Sequence, residues 1–198
     1  MVNGSTYKNL LPFDSQDMAE FGGASKFGNV FLVVASGRGD VDGVIRAGAL
    51  HVYNFNSDNG TWDFNVKLHA SDYSGDAKLS MNPTSLDLEG NTIVGGAPGE
   101  NGWVGAAYVF ENEAGNWIEK QKLVSPNTSA SEIFGIGVSI SVNVIAIGAN
   151  ETDNRKGSVY MCQKNPEGIW EYQQQLMASD ATNYSFFGHY PTKCVNLK

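Results

Sequence analysis

Histidine and cysteine are side chains that enzymes often use for metal binding and nucleophilic attack. The three histidines, His51, His69 and His189, have no H-x-x-x-H or similar metal-binding spacing. Cys162 and Cys194 are not accompanied by a histidine in a pattern typical of a catalytic nucleophile. The sequence also lacks a G-x-S-x-G elbow and a Walker-type loop. These observations predict that the protein is not an enzyme.

Carboxylates in predicted loops form a second set of chemically capable side chains. The loops 36–46, 98–104 and 150–156 belong to a group of long loops in which acidic residues outnumber basic ones. Clustered carboxylates can bind a cationic partner or a divalent cation, although turns also favour aspartate simply for solubility. The candidate binding residues are Asp40, Asp42, Glu100, Glu151 and Asp153.

Two short motifs overlap in the loop 36–46. Arg38-Gly39-Asp40 spells a cell-adhesion tripeptide, and a chance match is the favoured interpretation. Asp40-Val41-Asp42-Gly43 matches part of a calcium-binding loop, but the remaining acidic ligands are missing, so the segment predicts a turn. No cofactor is therefore predicted, and calcium is the ion to test.

An internal repeat identifies the elements that carry these loops. Trp62, Trp117 and Trp170 are 55 and 53 residues apart, and each precedes a leucine by six positions. A glycine that opens a tyrosine-bearing segment recurs in the same order, as Gly48 with Tyr53, Gly105 with Tyr108 and Gly157 with Tyr160. The ordered landmarks predict three units, at about 21–72, 82–127 and 134–180.

Each unit is predicted to contain four antiparallel strands. In the third unit, strand one is 138–140, where residues alternate in and out, and strand two is 144–148, an apolar run typical of a strand buried on both faces. Strand three holds the tyrosine, and the more polar strand four runs from the tryptophan to the leucine. Because polarity rises toward strand four, we expect strand one inside and strand four at the rim.

A four-stranded unit of this size cannot bury both of its faces alone. Radial stacking of neighbouring units solves this problem in β-propellers, and a two-sheet sandwich is the alternative. The recurring tryptophan favours the propeller, so the predicted fold is all-β, with three full propeller-type blades in one domain over 1–198. Residues 7–14 match a lone strand four, and residues 187–197 match a lone strand one.

The landmarks Phe134-Gly135, Gly148-Ala149 and Gly157-x-x-Tyr160 resemble the FG-GAP repeat. That repeat builds the β-propeller of integrin α subunits and of many bacterial and protist surface proteins, whose tryptophan-containing version is more similar to this chain. The resemblance covers nearly all of residues 7–198. It implies a propeller, usually of seven blades, and no particular ligand.

The sequence departs from the family pattern at three places. The second unit has Asn82-Pro83 where Phe-Gly is expected, and the first has Ala35-Ser36 in place of Gly-Ala. Integrin-type repeats often carry a calcium loop between strands one and two, but turns such as Val142-Asn143 are too short for it. The calcium site of the family is therefore not expected here.

The lone strands at the two ends leave three arrangements open. The ends can pair to close a ring of three blades plus a reduced fourth, two chains can assemble one larger ring, or the chain is a piece of a longer protein. Exposed strand edges make an isolated open half-propeller unfavourable.

Composition narrows the partners and the location. A net charge of −8 disfavours nucleic acid, and no apolar run approaches the roughly 20 residues that span a bilayer. No signal peptide is visible, but five N-x-S/T sequons in predicted loops agree with an extracellular or cell-surface location. The two cysteines allow one disulfide bond or two buried thiols, and thiols are favoured.

These features together predict a non-enzymatic structural or protein-interaction module, for example in cell adhesion. The expected partner is a protein or a second copy bound through the end strands. The alternative function is a lectin-like propeller that binds a glycan.

Overall fold

The computed structural model describes residues 20–127 and 131–190, which form three four-stranded antiparallel sheets. Blade 1 contains β1 (Phe21–Phe27), β2 (Phe31–Ser36), β3 (Ala49–Asn56) and β4 (Thr61–Leu68). Blade 2 contains β5 (Leu86–Glu89), β6 (Thr92–Ala97), β7 (Ala106–Glu113) and β8 (Asn116–Leu123). Blade 3 contains β9 (Phe134–Ser141), β10 (Val144–Ala149), β11 (Ser158–Lys164) and β12 (Trp170–Leu176). The predicted all-β class with four-stranded blades is confirmed. Helical turns α1 (Glu100–Trp103) and α2 (Thr152–Arg155) follow β6 and β10.

The order of strands from the inside to the rim follows the sequence pattern. The innermost strands of blades 2 and 3 are joined, because the backbone N–H of Ile140 donates to the Asp87 carboxylate at 3.0 Å. Strand β9 is longer than predicted and is buried along both faces, rather than alternating; it packs against β5 and β6 of blade 2. Strand β12 is exposed along most of its length, including Glu171 and Gln173, as expected for a rim strand.

Short turns join the first strand to the second and the third strand to the fourth within each blade. Ala114 and Gly115 link β7 to β8 with φ values of 50° and 95°. Two successive residues with positive φ are the signature of a type I′ turn, whose twist matches that of the flanking strands. The short hairpins therefore set the register of each blade locally.

Adjacent blades pack face to face. We call the side of a blade that faces the preceding blade its leading face, and the opposite side its trailing face. The first seam joins blades 1 and 2, and the second seam joins blades 2 and 3. In the first seam, the trailing face of blade 1 supplies Val33 and Val52, and the leading face of blade 2 supplies Ile93, Phe110 and Trp117.

The second seam repeats this arrangement. Val94 and Val109 on the trailing face of blade 2 pack against Ile145, Cys162 and Trp170 on the leading face of blade 3. Cys162 is a buried thiol, and burial raises the pKa of this thiol to about 11. Cys194 lies outside the described residues.

The structure corrects the predicted departure at Asn82-Pro83. The N–H of Leu79 donates to the carbonyl of Ala47 at 3.0 Å, just as the N–H of Phe134 donates to Val104 at 3.0 Å. Leu79 is buried like Phe134, and Ser80 has a positive φ of 55°. Leu79-Ser80 therefore replaces Phe-Gly. A search by residue type misses this pair because only its backbone geometry is retained.

The tyrosine of the first unit lies on β3 as predicted, but at a different position from Tyr108. Strand pairing starts at Ala49 in blade 1 and at Ala106 in blade 2, so His51, not Tyr53, occupies the position of Tyr108. The ring of Phe21 lies 5.3 Å from that of His51, and the rings of Phe134 and Tyr160 lie at the same distance. Tyr53 is two positions further along the same strand.

The predicted end strands are described only in part. Residues 7–14 lie outside the described residues, as do the last seven residues of the 187–197 segment. The N–H of Phe187 donates to Lys156 at 2.9 Å, which repeats the bond between Phe134 and Val104. Phe187-Gly188 thus occupies the position that opens a further unit on blade 3.

Candidate functional site

The long loops share one edge of the row of blades, because β2 and β4 and their counterparts run in the same direction. Cross-loop backbone hydrogen bonds join them, from Asp76 to Ile45 at 3.0 Å and from Gly99 to Ala77 at 3.1 Å. We call this region the loop edge. It comprises residues 37–48, 69–81, 98–104, 125–127, 131–133, 150–157 and 177–186.

The first two predicted binding residues are used inside the loop edge. The Asp40 carboxylate accepts the backbone N–H of Arg46 at 2.9 Å. The Asp42 carboxylate accepts the hydroxyl of Tyr73 at 3.0 Å, and this hydrogen bond raises the pKa of Tyr73. Arg38 pairs with Glu20 at 3.0 Å. The Arg38-Gly39-Asp40 tripeptide is therefore held in a turn by these contacts.

The buried Glu100 belongs to a network that reaches the surface at Asp72. It accepts the hydroxyl of Ser74 at 2.7 Å and the ammonium of Lys122 at 3.1 Å. Lys122 also donates to Asp72 at 2.7 Å, and the hydroxyl of Tyr108 donates to Asp72 at 2.8 Å. Glu100 thus contributes to the first seam, where a cation already balances it.

The carboxylate network shifts two pKa values in opposite directions. Burial pushes the pKa of Lys122 down, but its hydrogen bonds to Asp72 and Glu100 outweigh burial, so the pKa is raised. Burial pushes the pKa of Asp72 up, but hydrogen bonds from Lys122 and Tyr108 outweigh it, so the pKa is lowered. Both shifts favour the charged pair.

The last two predicted residues lie in the blade 3 loop. Glu151 pairs with Arg155 at 2.6 Å, and Asp153 pairs with Lys156 at 2.9 Å. The backbone N–H of Glu151 donates to the carbonyl of Glu132 at 3.2 Å. These contacts therefore divide the five predicted acids between blades 1–2 and blade 3, and each already contacts a donor.

Metal ligands are not grouped in the part of the chain that the structure describes. Within residues 20–127 and 131–190, no three His, Cys, Asp or Glu side chains come together as a metal site would require. The carboxylates named above instead accept from ammonium, guanidinium, hydroxyl or backbone N–H groups. Their role here is to accept hydrogen bonds and to pair with cations.

Exposed rings on the loop edge are a feature that the sequence reasoning did not identify. Trp103 is 40% exposed and Tyr184 is 64% exposed. The ammonium of Lys78 lies 4.2 Å from the centre of the Trp103 ring, and the guanidinium of Arg155 lies 5.4 Å from that of Tyr184. Trp103 could have been found, because it is the tryptophan that does not follow the repeat.

The backbone beneath these rings is held in an uncommon conformation. Arg46, Trp103 and Arg155 occupy equivalent positions and have φ values of 54°, 72° and 66°. The carbonyl of Trp103 accepts from Ile133 at 3.1 Å, and that of Arg155 accepts from Phe186 at 2.9 Å. Residues with side chains adopt positive φ only when the surroundings stabilise it, so the rings are presented from a constrained backbone.

Comparison with protein families agrees with this geometry. The family model described as FG-GAP repeat matches residues 117–162, from the tryptophan of β8 through the first three strands of blade 3 to Cys162. Over this segment the chain is similar to FG-GAP repeats. FG-GAP repeats build β-propeller-type interaction modules, and blades 1 and 2 have the same strand order as the matched segment.

Two further findings concern relatives and membrane-spanning helices. No curated protein matches the chain. Across the described residues, no helix has the length and apolar character needed to cross a membrane.

Proposed function

We propose that the chain is a non-enzymatic module that binds a protein partner through its loop edge at a cell or particle surface. The observation that carries the proposal is the convergence of loops from all three blades on one edge, joined by backbone hydrogen bonds. Such an edge presents side chains from separate repeats as one surface, as loops on rigid β-scaffolds commonly do.

The side chains on this edge suit a protein interface. Trp103, Tyr184 and Ile45 are exposed, and Lys78 and Arg155 lie against the two rings. Tryptophan, tyrosine and arginine are enriched among residues that dominate binding energies. The exposed carboxylates of Asp42 and Asp153 add polar contacts around these rings and favour a partner with basic groups.

The test compares protein capture by four immobilised versions of the chain. Surface proteins of the source cell are cross-linked to wild type, Trp103→Ser, Tyr184→Ser and the control Val142→Ser, whose side chain is exposed on a hairpin turn away from the loop edge. We expect a protein that wild type and Val142→Ser retain but the two ring variants lose. Equal retention by all four would rule out the loop edge.

A surface location can be tested separately from partner binding. The sequons at Asn59 and Asn183 lie at exposed positions, where a glycan would meet no packed side chain, whereas Asn150 is buried. We expect the protein in the surface-biotinylated fraction of intact cells. Recovery only after lysis would contradict the surface assignment.

The second candidate function is glycan binding, and the exposed rings favour it. Aromatic rings with a flanking polar group are suited to stacking on a sugar. A glycan array would support this function if binding followed one sugar and was lost in Trp103→Ser. Binding that is unaffected by this variant would argue against a lectin site on the loop edge.

The proposed interaction needs no cofactor. Because the five predicted carboxylates already accept hydrogen bonds or pair with cations, calcium would have to displace those partners. We expect no heat when the chain is titrated with calcium chloride. Heat that disappears in Asp42→Asn or Asp153→Asn would contradict this expectation and identify the ion site.

A further inference from the structure

The leading face of blade 1 repeats a surface that is buried elsewhere in the molecule. Strand pairing places Phe27 at the position of Leu88 in blade 2 and of Ile140 in blade 3. Leu88 and Ile140 are buried inside the two seams, whereas Phe27 is 68% exposed. The same positions therefore form an apolar surface at the start of the row.

Aromatic side chains extend this surface. Trp62 corresponds to the buried Trp117 and Trp170, and its ring lies 5.8 Å from Phe27 and 5.2 Å from Phe55. Leu32 and Tyr53 pack beside Trp62. A contiguous, exposed apolar patch marks an interaction surface.

The trailing face of blade 3 repeats the other half of a seam. Ala146 and Met161 occupy the positions of Val94 and Val109, which pack into the second seam. A small cleft of about 20 Å³ is lined by Ala146 and Met161 together with Ser139, Ser141 and Val144. Blade 3 therefore ends in a shallow apolar surface of the type that receives a leading face.

The trailing face of blade 3 also carries a side chain equivalent to one that makes a polar contact in the second seam. The side-chain amide of Gln121 donates to the carbonyl of Trp170 at 2.7 Å and accepts the Trp170 N–H at 2.8 Å. Gln174 stands at the corresponding position of blade 3, because it pairs with Met161 as Gln121 pairs with Val109. Gln174 is exposed. Its natural counterpart is the backbone of a strand-four tryptophan such as Trp62.

From this matched geometry we propose that the leading face of blade 1 docks onto the trailing face of blade 3 in a second copy of the chain. Phe27 and Trp62 of one copy pack against Ala146 and Met161 of the other, and Gln174 pairs with the Trp62 backbone. The contact continues the internal seams. It joins two different surfaces, so repetition gives a ring or a filament rather than a symmetric pair.

This joint is independent of the loop edge, and the variants are chosen to keep the two apart. Phe27→Asp blocks the leading face and Met161→Asp blocks the trailing face. Both residues are at least partly exposed, so both variants should fold. Ile45→Asp places the same charge on the loop edge and is the control.

The measurement is mass in solution by light scattering over a range of concentrations. We expect wild type and Ile45→Asp to assemble into multiples of 21.3 kDa, and each blocked variant to remain at 21.3 kDa. Mixing the two blocked variants leaves one intact joint and should restore a species of two copies, with an association constant at least tenfold above that of either variant alone.

Three results would overturn the proposal. Wild type that stays at the mass of one chain excludes the second copy. Association that persists in either blocked variant shows a different contact. If wild type is monomeric and removal of residues 191–198 makes it associate, the chain's own C-terminal segment occupies the trailing face instead.

Discussion

The first and second seams place the same repeat positions against each other, yet they hold those positions with different chemistry. In the second seam the backbones approach so closely that a methyl group on Gly96 would overlap the carbonyl oxygen of Gly135. In the first seam the position of Gly96 is taken by Ala35, and Leu79-Ser80 replaces Phe134-Gly135. The repeat therefore conserves the path of the chain more strictly than its residue types.

The polar contacts of the two seams differ in the same way. Tyr108 donates to Asp72, whose charge is balanced by Lys122. Tyr160 donates at 2.8 Å to Glu132, which is 1% exposed and accepts its other hydrogen bonds from the neutral groups of Ser125 and Asn127. The first seam uses an ion pair where the second uses neutral donors around a buried carboxylate.

The largest difference should appear when a methyl group is added or removed at the closest approach. Gly96→Ala must push the backbones of blades 2 and 3 apart, and overpacking of this kind typically costs about 3 kcal/mol. The reciprocal change, Ala35→Gly, loses one buried methyl group and some backbone restriction, which costs about 1 kcal/mol. Urea unfolding measures both.

Equal losses in Gly96→Ala and Ala35→Gly would show that the second seam can widen as easily as the first. The comparison would then lose its steric basis. A change in the slope against urea would indicate partial unfolding of a blade rather than a weaker seam.

The next largest difference in stability between the two seams should appear when the tyrosine hydroxyls are removed. Tyr160→Phe removes one donor from the buried Glu132, which should cost about 2 kcal/mol because the carboxylate has little access to water. Tyr108→Phe should cost about 1 kcal/mol, since Asp72 is half exposed and keeps Lys122. Thermal and urea unfolding of the two variants provide the measurement, and a larger loss in Tyr108→Phe would contradict the assignment.

The tryptophan landmarks located strand four of each unit from the sequence. Trp62, Trp117 and Trp170 all lie near the start of a rim strand. Local periodicity is enough for this, because the pattern of strand four recurs even at the partly buried Trp62 and at Leu176, which is 40% exposed.

The seams were less accessible to sequence reasoning. Tyr53 and Tyr108 lie on the same strand of their units, but strand pairing gives the position of Tyr108 to His51. Leu79-Ser80 was missed because its role depends on a hydrogen bond to Ala47 in another blade. Contacts between units are long-range, so the residue pattern within one unit does not specify them.

The candidate site shows the same limit. The long loops carry the acids that the sequence predicted, but their partners, such as Tyr73 for Asp42, come from neighbouring loops. Those carboxylates are paired in the folded chain, and the rings of Trp103 and Tyr184 are exposed on the same edge. Only the folded structure shows which groups from neighbouring loops pair with each carboxylate.

The ion pair of the first seam should respond to salt as well as to substitution. Lys122→Gln removes the cation shared by Asp72 and Glu100 and should cost about 1 kcal/mol at low salt. High salt should reduce that cost because the exposed side of Asp72 is screened. The control Lys120→Gln breaks a more exposed pair with Glu113 and should cost less than Lys122→Gln. Unfolding at two ionic strengths distinguishes them.

The smallest expected difference is between the stabilities of wild type and Lys122→Gln at acid pH. Because the pKa of Asp72 is lowered in the folded chain, its contribution to stability is present above the ordinary value of about 3.8. That contribution is lost as the pH falls through the lower folded pKa. In Lys122→Gln the pKa of Asp72 should return toward its ordinary value, because the hydrogen bond and charge that lower it are gone. The melting temperature of this variant should therefore fall less steeply than that of wild type below pH 4. Parallel acid profiles would mean that Tyr108 alone holds the Asp72 carboxylate in its charged form, and the first seam would then resemble the second.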